Sequence, residues 1–410
     1  MNAPSRDLMR AETDGIDLLE SRKMQQPLEI AVGTLGASIQ GWKLAKLQHR
    51  PGAGATGIYS VDVRVPDGTV RTEYVCITTS VVPDTGVPVV RLDDGNMALT
   101  AWLYPADPVL TGLATACDSA AMARAAFGGG DADLRMVNYR PLRRAVLEAS
   151  QGASRVFIKV VRPDKADALL RRHRLLTEAG LPSPELIPGP ATGVVLLREV
   201  QGTPLAQGLM NDGASQLAPD TLLELLDRLP AGVMKLSRRP AWAERAADYA
   251  RAAAAALPLE QDRIFRLEEK ISKVLAATRS GPLVPTHGDF YEANLLIDGG
   301  TVTGVLDVDS LGPGYRIDDL ACFIGHLAVL PAVHEGYIHV PQAMERYLAA
   351  FDKAVDPAGL RARSAGVALS LVAGAKTFGQ GEGWQRDALE RLAIAERLAV
   401  EAVQLSEASR

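Results

Sequence analysis

Three oxygen-bearing side chains stand at a spacing that could do phosphate chemistry. The segment Pro285-Thr-His-Gly-Asp-Phe-Tyr-Glu-Ala-Asn-Leu-Leu296 puts Asp289 and Asn294 five residues apart on one loop. Leu295–Ile297 then reads as an outgoing strand, Gly299-Gly300 as a turn, and Val302–Leu306 as the returning strand. That hairpin brings Asp307 back beside Asp289 and Asn294. Two carboxylates and an amide are hard oxygen donors with open positions. Such a set suits Mg²⁺ carrying phosphates, because Mg²⁺ keeps several waters and takes few protein ligands. Asp309 follows Asp307 by two, so on an extended backbone both face one side. Asp318 and Asp319 open the next helix, where one of them could cap it.

A second charged residue draws notice upstream. Lys159 lies inside the apolar run Arg155–Val161 (RVFIKVV), where a lysine is costly unless it meets a counter-charge or reaches solvent from an edge strand. Its strand pairs with Arg144–Ala149 across the turn Ser150–Ser154, which carries Gly152. A helix over Lys165–Ala179 follows and stops at Gly180-Leu181-Pro182. Glu185–Ile187 and Gly193–Val200 read as short strands. Beyond Gly202 the pattern is mainly helical, over Asp220–Leu229, Trp242–Ala256, Asp262–Arg279 and Asp387–Glu407.

The first 135 residues read as a β-rich unit. Residues 1–45 are expected to be partly helical and partly irregular. Thr56–Val65 and Val70–Thr78 alternate about Pro66-Asp67-Gly68, a hairpin signal, with strands at Val87–Leu92 and Ala98–Leu103. Ala116–Asp133 reads as a helix and then a flexible joint at Gly128-Gly129-Gly130. One internal echo stands out. Lys46-Leu-Gln-His-Arg-Pro51 before one hairpin resembles Met136-Val-Asn-Tyr-Arg-Pro141 before the other. If the first unit repeats the second, the place of Lys159 falls near Ile77 or Thr78, and that copy cannot do the lysine's work.

The pattern HGDxxxxN, with an aspartate after an apolar strand and a later Asp-Leu-Ala (Asp319–Ala321), resembles the aminoglycoside phosphotransferase and choline kinase group. That group shares the protein-kinase fold, and the step from Asp289 to Asn294 is that of the kinase catalytic loop. The resemblance covers about residues 136–330 well and the rest loosely. It implies an α+β, protein-kinase-like bilobal fold with an additional β-rich N-terminal cap domain. The expected division is a cap over 1–135, an N-lobe over 136–202 and a helical C-lobe over 203–410, with ATP in the cleft. The cap resembles that of bacterial maltokinase and glucosamine-kinase-like relatives in architecture, without matched residues. A plainer reading is that it only covers apolar surface of the N-lobe.

By the same resemblance, Asp289 orients the acceptor hydroxyl and takes its proton. Asn294 and Asp307 hold Mg²⁺ on ATP, His287 braces the loop, and Asp319 supports it. Lys159 contacts the α- and β-phosphates, Gly152 belongs to a weak phosphate-covering turn, and backbone groups near Glu199 and Val200 bond adenine. The helix after Lys159 departs from the family pattern. Its centre carries Arg171, Arg172, His173 and Arg174 where a glutamate is expected, leaving Asp164, Asp167 and Glu178 as the nearest acids. Glu178 is the candidate partner. The implied activity is ATP- and Mg²⁺-dependent phosphoryl transfer to a hydroxyl of a small molecule: a sugar, amino sugar or aminoglycoside. An aminoglycoside needs carboxylates around its ammonium groups, and the candidates are Asp309, Asp318, Glu335 and Glu382. The alternative is a non-catalytic nucleotide-binding pseudokinase or regulatory module.

Composition sets the outer bounds. The chain has 410 residues, 47% hydrophobic and 23% charged, with a net charge of −5. That balance argues against a general nucleic-acid or membrane-surface binder. Cys76, Cys117 and Cys322 are far apart and form no CxxC pair, which fits a reducing cytoplasm better than a disulfide framework. Met1–Lys23 is charged throughout and lacks an apolar signal core. Leu320–Val333 and Ser364–Ala375 fall short of the roughly 20 residues that span a bilayer. His334-Glu-Gly-Tyr-Ile-His339 spaces its histidines by five rather than the four of a zinc-protease helix. The glycine-rich run Phe378–Trp384 follows no strand, so it reads as a loop of the helical lobe. No GxxxxGK[ST] or GxSxG is present, against a Walker-type ATPase and an α/β-hydrolase. Oligomeric state is not legible.

Overall fold

A computed structural model describes residues 14–50, 54–93, 97–375 and 383–408. The chain divides into two compact units, Met1–Leu170 with Leu186–Glu199, and Arg171–Glu185 with Val200–Arg410.

The first unit contains two five-stranded antiparallel sheets. The first is built from β1 (Ser38–Arg50), β2 (Gly54–Arg64), β3 (Val70–Thr78), β4 (Val90–Asp93) and β5 (Ala98–Leu103), in the order β1-β2-β3-β5-β4. Alternation decides β2, whose Val61 and Val63 are buried while Asp62 and Arg64 face out. The β2–β3 turn uses Gly68 at φ +87°, and the Asp67 carboxylate accepts the Thr69 amide at 2.8 Å. Helix α1 (Gln25–Gly33) buries Leu28, Ala31 and Val32 in the same core as Tyr59, Val75 and Ile77.

Strand β1 corrects the sequence reading, which left residues up to 45 helical or irregular. Its register slips twice against β2, between Ile39 and Gly41 and between Leu44 and Lys46. Each bulge shifts the phase by one residue. Ile39, Trp42, Leu44 and Leu47 therefore recur at mixed intervals of three and two, which hides the strand period.

The second sheet is built from β6 (Asp133–Arg140), β7 (Arg144–Gln151), β8 (Ser154–Val161), β9 (Leu186–Ile187) and β10 (Val194–Arg198), in the order β6-β7-β8-β10-β9. This is the strand order of the first sheet. The registers agree as well. Arg50 pairs with Gly54 in the first sheet, and Arg140 with Arg144 in the second. Thr56 pairs with Thr78 and Thr78 with Thr100; in the second sheet Val146 pairs with Lys159 and Lys159 with Val195. The echo of Arg50-Pro51 and Arg140-Pro141 therefore marks equivalent strand ends.

The two sheets share one apolar core. Ile58, Cys76 and Trp102 of the first pack in the same cluster as Leu147, Ile158 and Leu196 of the second, with α2 (Leu113–Ala116) and α3 (Ser119–Phe127) contributing Leu113 and Met122. Asp107, buried in the connection after β5, ties them by hydrogen bonds. Its Oδ1 accepts the amides of Val109 and Leu110, and its Oδ2 accepts the Tyr139 hydroxyl at 2.8 Å and the Leu142 amide at 2.9 Å. The expected joint after α3 is a bonded cap. Gly128, Gly129 and Gly130 all take positive φ, and the Gln151 side chain donates to the carbonyls of Gly129 and Asp131. Helix α4 (Pro163–Glu178) begins in this unit and continues into the next.

The second unit is mainly helical. Its helices are α5 (Leu205–Asp212), α6 (Pro219–Asp227), α7 (Ala246–Ala256), α8 (Gln261–Ala277), α9 (Arg316–Val333), α10 (Val340–Ala354), α11 (Pro357–Ser370) and α12 (Trp384–Ala408). Small residues on α7 and α11, such as Ala250, Ala253 and Ala365, let these helices approach closely around Ile264, Ile271, Leu369 and Leu392. The short strands are β12 (Leu283–Thr286) paired with β15 (Gly312–Tyr315), and β11 (Thr203–Pro204) beside the hairpin β13 (Leu295–Asp298) and β14 (Thr301–Val305). The hairpin is the one expected about Gly299-Gly300. Among the described residues, no helix is long and apolar enough to cross a membrane.

Candidate active site

The site loop leaves β12 at Thr286, whose hydroxyl donates to the Gly312 carbonyl of β15 at 2.8 Å. The next two amides, of His287 and Gly288, both donate to the Asp319 carboxylate at 2.8 Å. Gly288 sits at φ +78°, and a Cβ there would meet the Ser310 carbonyl oxygen at 2.7 Å, so both space and backbone demand glycine. Asp319 is 1% exposed at the start of α9. Burial pushes its pKa up to about 7, against the two amide bonds that pull it down.

His287 is buried between two bonds. Its Nδ1 accepts the Asp289 amide at 3.3 Å, so Nε2 carries the proton and donates to the Leu306 carbonyl at 2.9 Å. The ring therefore ties the loop to the end of β14, one residue before Asp307. Asn294 closes the loop from the other side. Its side-chain amide donates to the Asp289 carbonyl at 2.9 Å, and its own carbonyl accepts the Leu306 amide at 2.8 Å. Asp307 takes a left-handed backbone, φ +50° and ψ 57°, which is uncommon outside glycine and tolerated by aspartate. Phe290, inside the loop, is 1% exposed and packs on Phe323 of α9 with ring centres 6.1 Å apart. Apolar contact and backbone bonding together fix Asp289, Asn294 and Asp307 on one framework.

Other expected residues fall elsewhere. Asp318 is bound to Arg363 at 3.0 Å, so as a substrate contact it is already committed. Burial raises its pKa and Arg363 opposes that rise. Asp309 lies close enough to Arg172 for their charges to interact. Glu335 is exposed in the turn after α9, and Glu382 lies outside the described residues. At the centre of α4, where a glutamate was expected, Arg172 is buried and its Nε donates to the Leu311 carbonyl at 3.0 Å. Glu178 is exposed at the end of α4.

In the first unit, Lys159 lies in β8 between β7 and β10 and is half-buried, which removes the edge-strand reading. Gly152 turns β7 into β8 at φ +59°. The Glu199 amide donates to the Arg155 carbonyl at 3.2 Å and its carboxylate pairs with Arg155 at 2.6 Å. That amide bonds β8. Val200 begins the second segment of the second unit.

Sequence reasoning missed several groups around the loop. Glu292 is 5% exposed, with no hydrogen-bond partner for Oε2 among the described residues. Burial, reinforced by the Asp289 charge, pushes it up to about 7. His326 of α9 stacks on Tyr291 at 4.0 Å and meets Trp242 edge-on at 6.5 Å. Burial pushes its pKa down to about 4, so it is neutral near pH 7. Arg238, Arg239 and Arg245 line a cavity of about 220 Å³ that also touches Gly288. The run Arg-Arg-Pro-Ala-Trp-Ala-Glu-Arg was the only signal for them, and it matches no motif.

A helix-braced HGD loop, an amide five residues on and an aspartate returned by a hairpin define a phosphotransferase with a protein-kinase-like fold. The model of the phosphotransferase enzyme family (APH) matches residues 142–362, more than half of the chain. The chain belongs to that family. The first sheet and all of β6 precede the matched residues. A choline/ethanolamine kinase family protein from Mesorhizobium loti has the same fold, with TM-score 0.50 and 18% identity over 72% of this chain and 99% of that one. A spectinomycin phosphotransferase, solved with ADP and spectinomycin, aligns with TM-score 0.48 and 14% identity over 70% of this chain and 97% of that one. A thermostable mutant of an aminoglycoside phosphotransferase aligns with TM-score 0.47 and 16% identity over 69% of this chain and 98% of that one. No curated protein matches the chain.

Proposed function

We propose that the chain transfers the γ-phosphoryl group of ATP, in the presence of Mg²⁺, to a hydroxyl of a small molecule. The observation that carries this reading is the framework holding Asp289, Asn294 and Asp307, bonded through Leu306 and braced by Asp319. Asp289 takes the hydroxyl proton as the acceptor oxygen bonds to the γ-phosphorus. The bond from that phosphorus to the bridging oxygen breaks, and ADP leaves with its electron pair. Positioning supplies much of the rate, which is why a fixed loop matters more than a reactive side chain.

The donor set fits Mg²⁺. Asn294 spends its amide hydrogen on the Asp289 carbonyl and so keeps Oδ1 for a cation, and Asp307 adds a carboxylate. Bound there, Mg²⁺ would neutralise charge on the phosphate oxygens. Among the described residues no group of three or more His, Cys, Asp or Glu forms a metal cage, and a phosphate-carrying Mg²⁺ does not need one. Lys159 is the proposed contact for the α- and β-phosphates.

The test is ADP release with Mg²⁺-ATP across hexoses, sugar acids, sugar phosphates, amino sugars, choline, homoserine and aminoglycosides. One strong responder that Asp289→Asn abolishes supports the reading. A responder that the variant leaves untouched removes Asp289 as the base. Mg²⁺-ATP binding without turnover of any acceptor favours the regulatory alternative.

A further inference from the structure

The cavity lined by Arg238, Arg239 and Arg245 lies wholly in the second unit and reaches Gly288, one residue from Asp289. Tyr249 also lines it. Its hydroxyl is raised chiefly by burial, with Arg245 pulling it down and Asp289 among the charges pushing it up. The cavity is therefore within electrostatic range of the proposed base.

Charge decides what such a cavity holds. Two carboxylates line it, and both are committed: Asp318 to Arg363 at 3.0 Å, and Asp319 to the amides of His287 and Gly288 at 2.8 Å. The arginines are less well matched. Arg238 pairs with Glu244 at 2.5 Å, and Arg245 shares Asp248 with Arg251. Arg239 donates to the neutral hydroxyl of Ser310 at 3.2 Å and has no carboxylate partner among the described residues. A surplus of positive charge remains, presented as guanidinium forks that match carboxylate and phosphate oxygens.

We propose that this cavity binds the anionic group, carboxylate or phosphate ester, of a hydroxylated acceptor. The inference rests on the phosphotransferase reading above and names its substrate class. Trp242, stacked on Tyr249 with ring centres 5.7 Å apart, gives the same ligand an apolar wall.

Two measurements test it. Calorimetry on the nucleotide-free protein follows inorganic phosphate and gluconate as probes. The wild type is expected to bind one or both, Arg239→Gln to weaken binding roughly tenfold or more, and Arg239→Lys to restore part of it. No binding of either probe at tens of millimolar, or an Arg239→Gln protein equal to wild type, overturns the proposal. The second measurement is ADP release over matched pairs: gluconate and sorbitol, glycerate and glycerol, glucose 6-phosphate and glucose, with glucosamine as the cation. The anionic member of a pair should lead in kcat/KM by roughly tenfold, and Arg239→Gln should raise its KM more than it lowers kcat. A response to carboxylates alone or to phosphates alone identifies the source of the charge. A higher kcat/KM for glucosamine or a neutral partner overturns the inference and leaves the phosphotransferase reading standing. Failure of Mg²⁺-ATP to bind at all sinks that reading, while the calorimetry still decides the cavity.

Discussion

Thr78 stands in the first sheet where Lys159 stands in the second. Lys159 pairs with Val146 and Val195, and Thr78 pairs with Thr56 and Thr100. The Thr56 and Thr78 hydroxyls bond each other at 2.8 Å, and Thr78 also donates to the Ala55 carbonyl at 3.0 Å. A buried row of threonines thus fills the place of the cation. The first sheet keeps the frame with a threonine where the second has a lysine. Lys159→Ala is expected to lower kcat/KM for ATP about a hundredfold with little change in Tm. Thr78→Val should do the reverse, costing about 1 kcal/mol of stability and leaving ATP kinetics alone. Equal kinetics for Lys159→Ala and wild type would remove the lysine from the site.

Asp289→Asn should keep Mg²⁺-ATP binding, read as a thermal shift, and lose turnover by about three orders of magnitude. Asp307→Ala should lose the Mg²⁺-dependent part of the nucleotide's thermal shift. An unchanged shift would end the assignment of Asp307 to the metal.

Asp319→Asn replaces one accepting oxygen by an NH₂ that must face an amide hydrogen. One of the two bonds to His287 and Gly288 is lost, and a buried donor is left unpaired. The expected cost is about 1–3 kcal/mol, with a fall in kcat because the loop loosens. Chemical denaturation and turnover measured on the same sample check both. A stable, fully active variant would show that the brace is dispensable.

The buried imidazole of His326 gives a pH signature. Its pKa is about 4 in the folded chain against 6.5 when free, so the unfolded state gains a proton first as pH falls. Its contribution to stability is complete above pH 6.5 and is lost as pH falls toward 4. His326→Phe keeps a ring against Tyr291 and removes the titration. Between neutral pH and pH 5 the wild type should lose about 2 kcal/mol relative to the variant. Glu292 and Asp319, raised by burial, act in the opposite direction in both proteins and cancel in the comparison. Parallel Tm profiles for the two would contradict the shift.

Tyr139→Phe removes one of four bonds at the Asp107 carboxylate and should cost about 1–2 kcal/mol. Asp107→Ala strands the Tyr139 hydroxyl and three amides and should cost more than 3 kcal/mol. Urea denaturation of both separates the two figures, and equal losses would mean that the other three bonds contribute little.

The site loop was legible because its chemistry is local. The five-residue step from Asp289 to Asn294 and the tight return to Asp307 sit within a short stretch of chain. What depended on distant packing was not legible. Asp318 and Asp319 are neighbours with the same side chain, yet one is held by Arg363 and the other by loop amides, a difference made by α11 and β12. Of the cavity arginines, Arg238 and Arg239 come from an irregular stretch before α7, and Arg245 ends the 3-10 turn Ala243–Arg245 that leads into it. Strand β1 was hidden by two bulges, whereas β2 and β3, which pair without a slip, read directly from their alternation.

The core shared by the two sheets has a consequence for truncation. Leu147, Ile158 and Leu196, which a lone kinase-type sheet would shield in another way, now lie against Ile58, Cys76 and Trp102. Once such a seam has formed, neither half can be deleted without baring the other, whatever the added half still does. Packing thereby ties the first sheet to the second, whatever residue stands at Thr78.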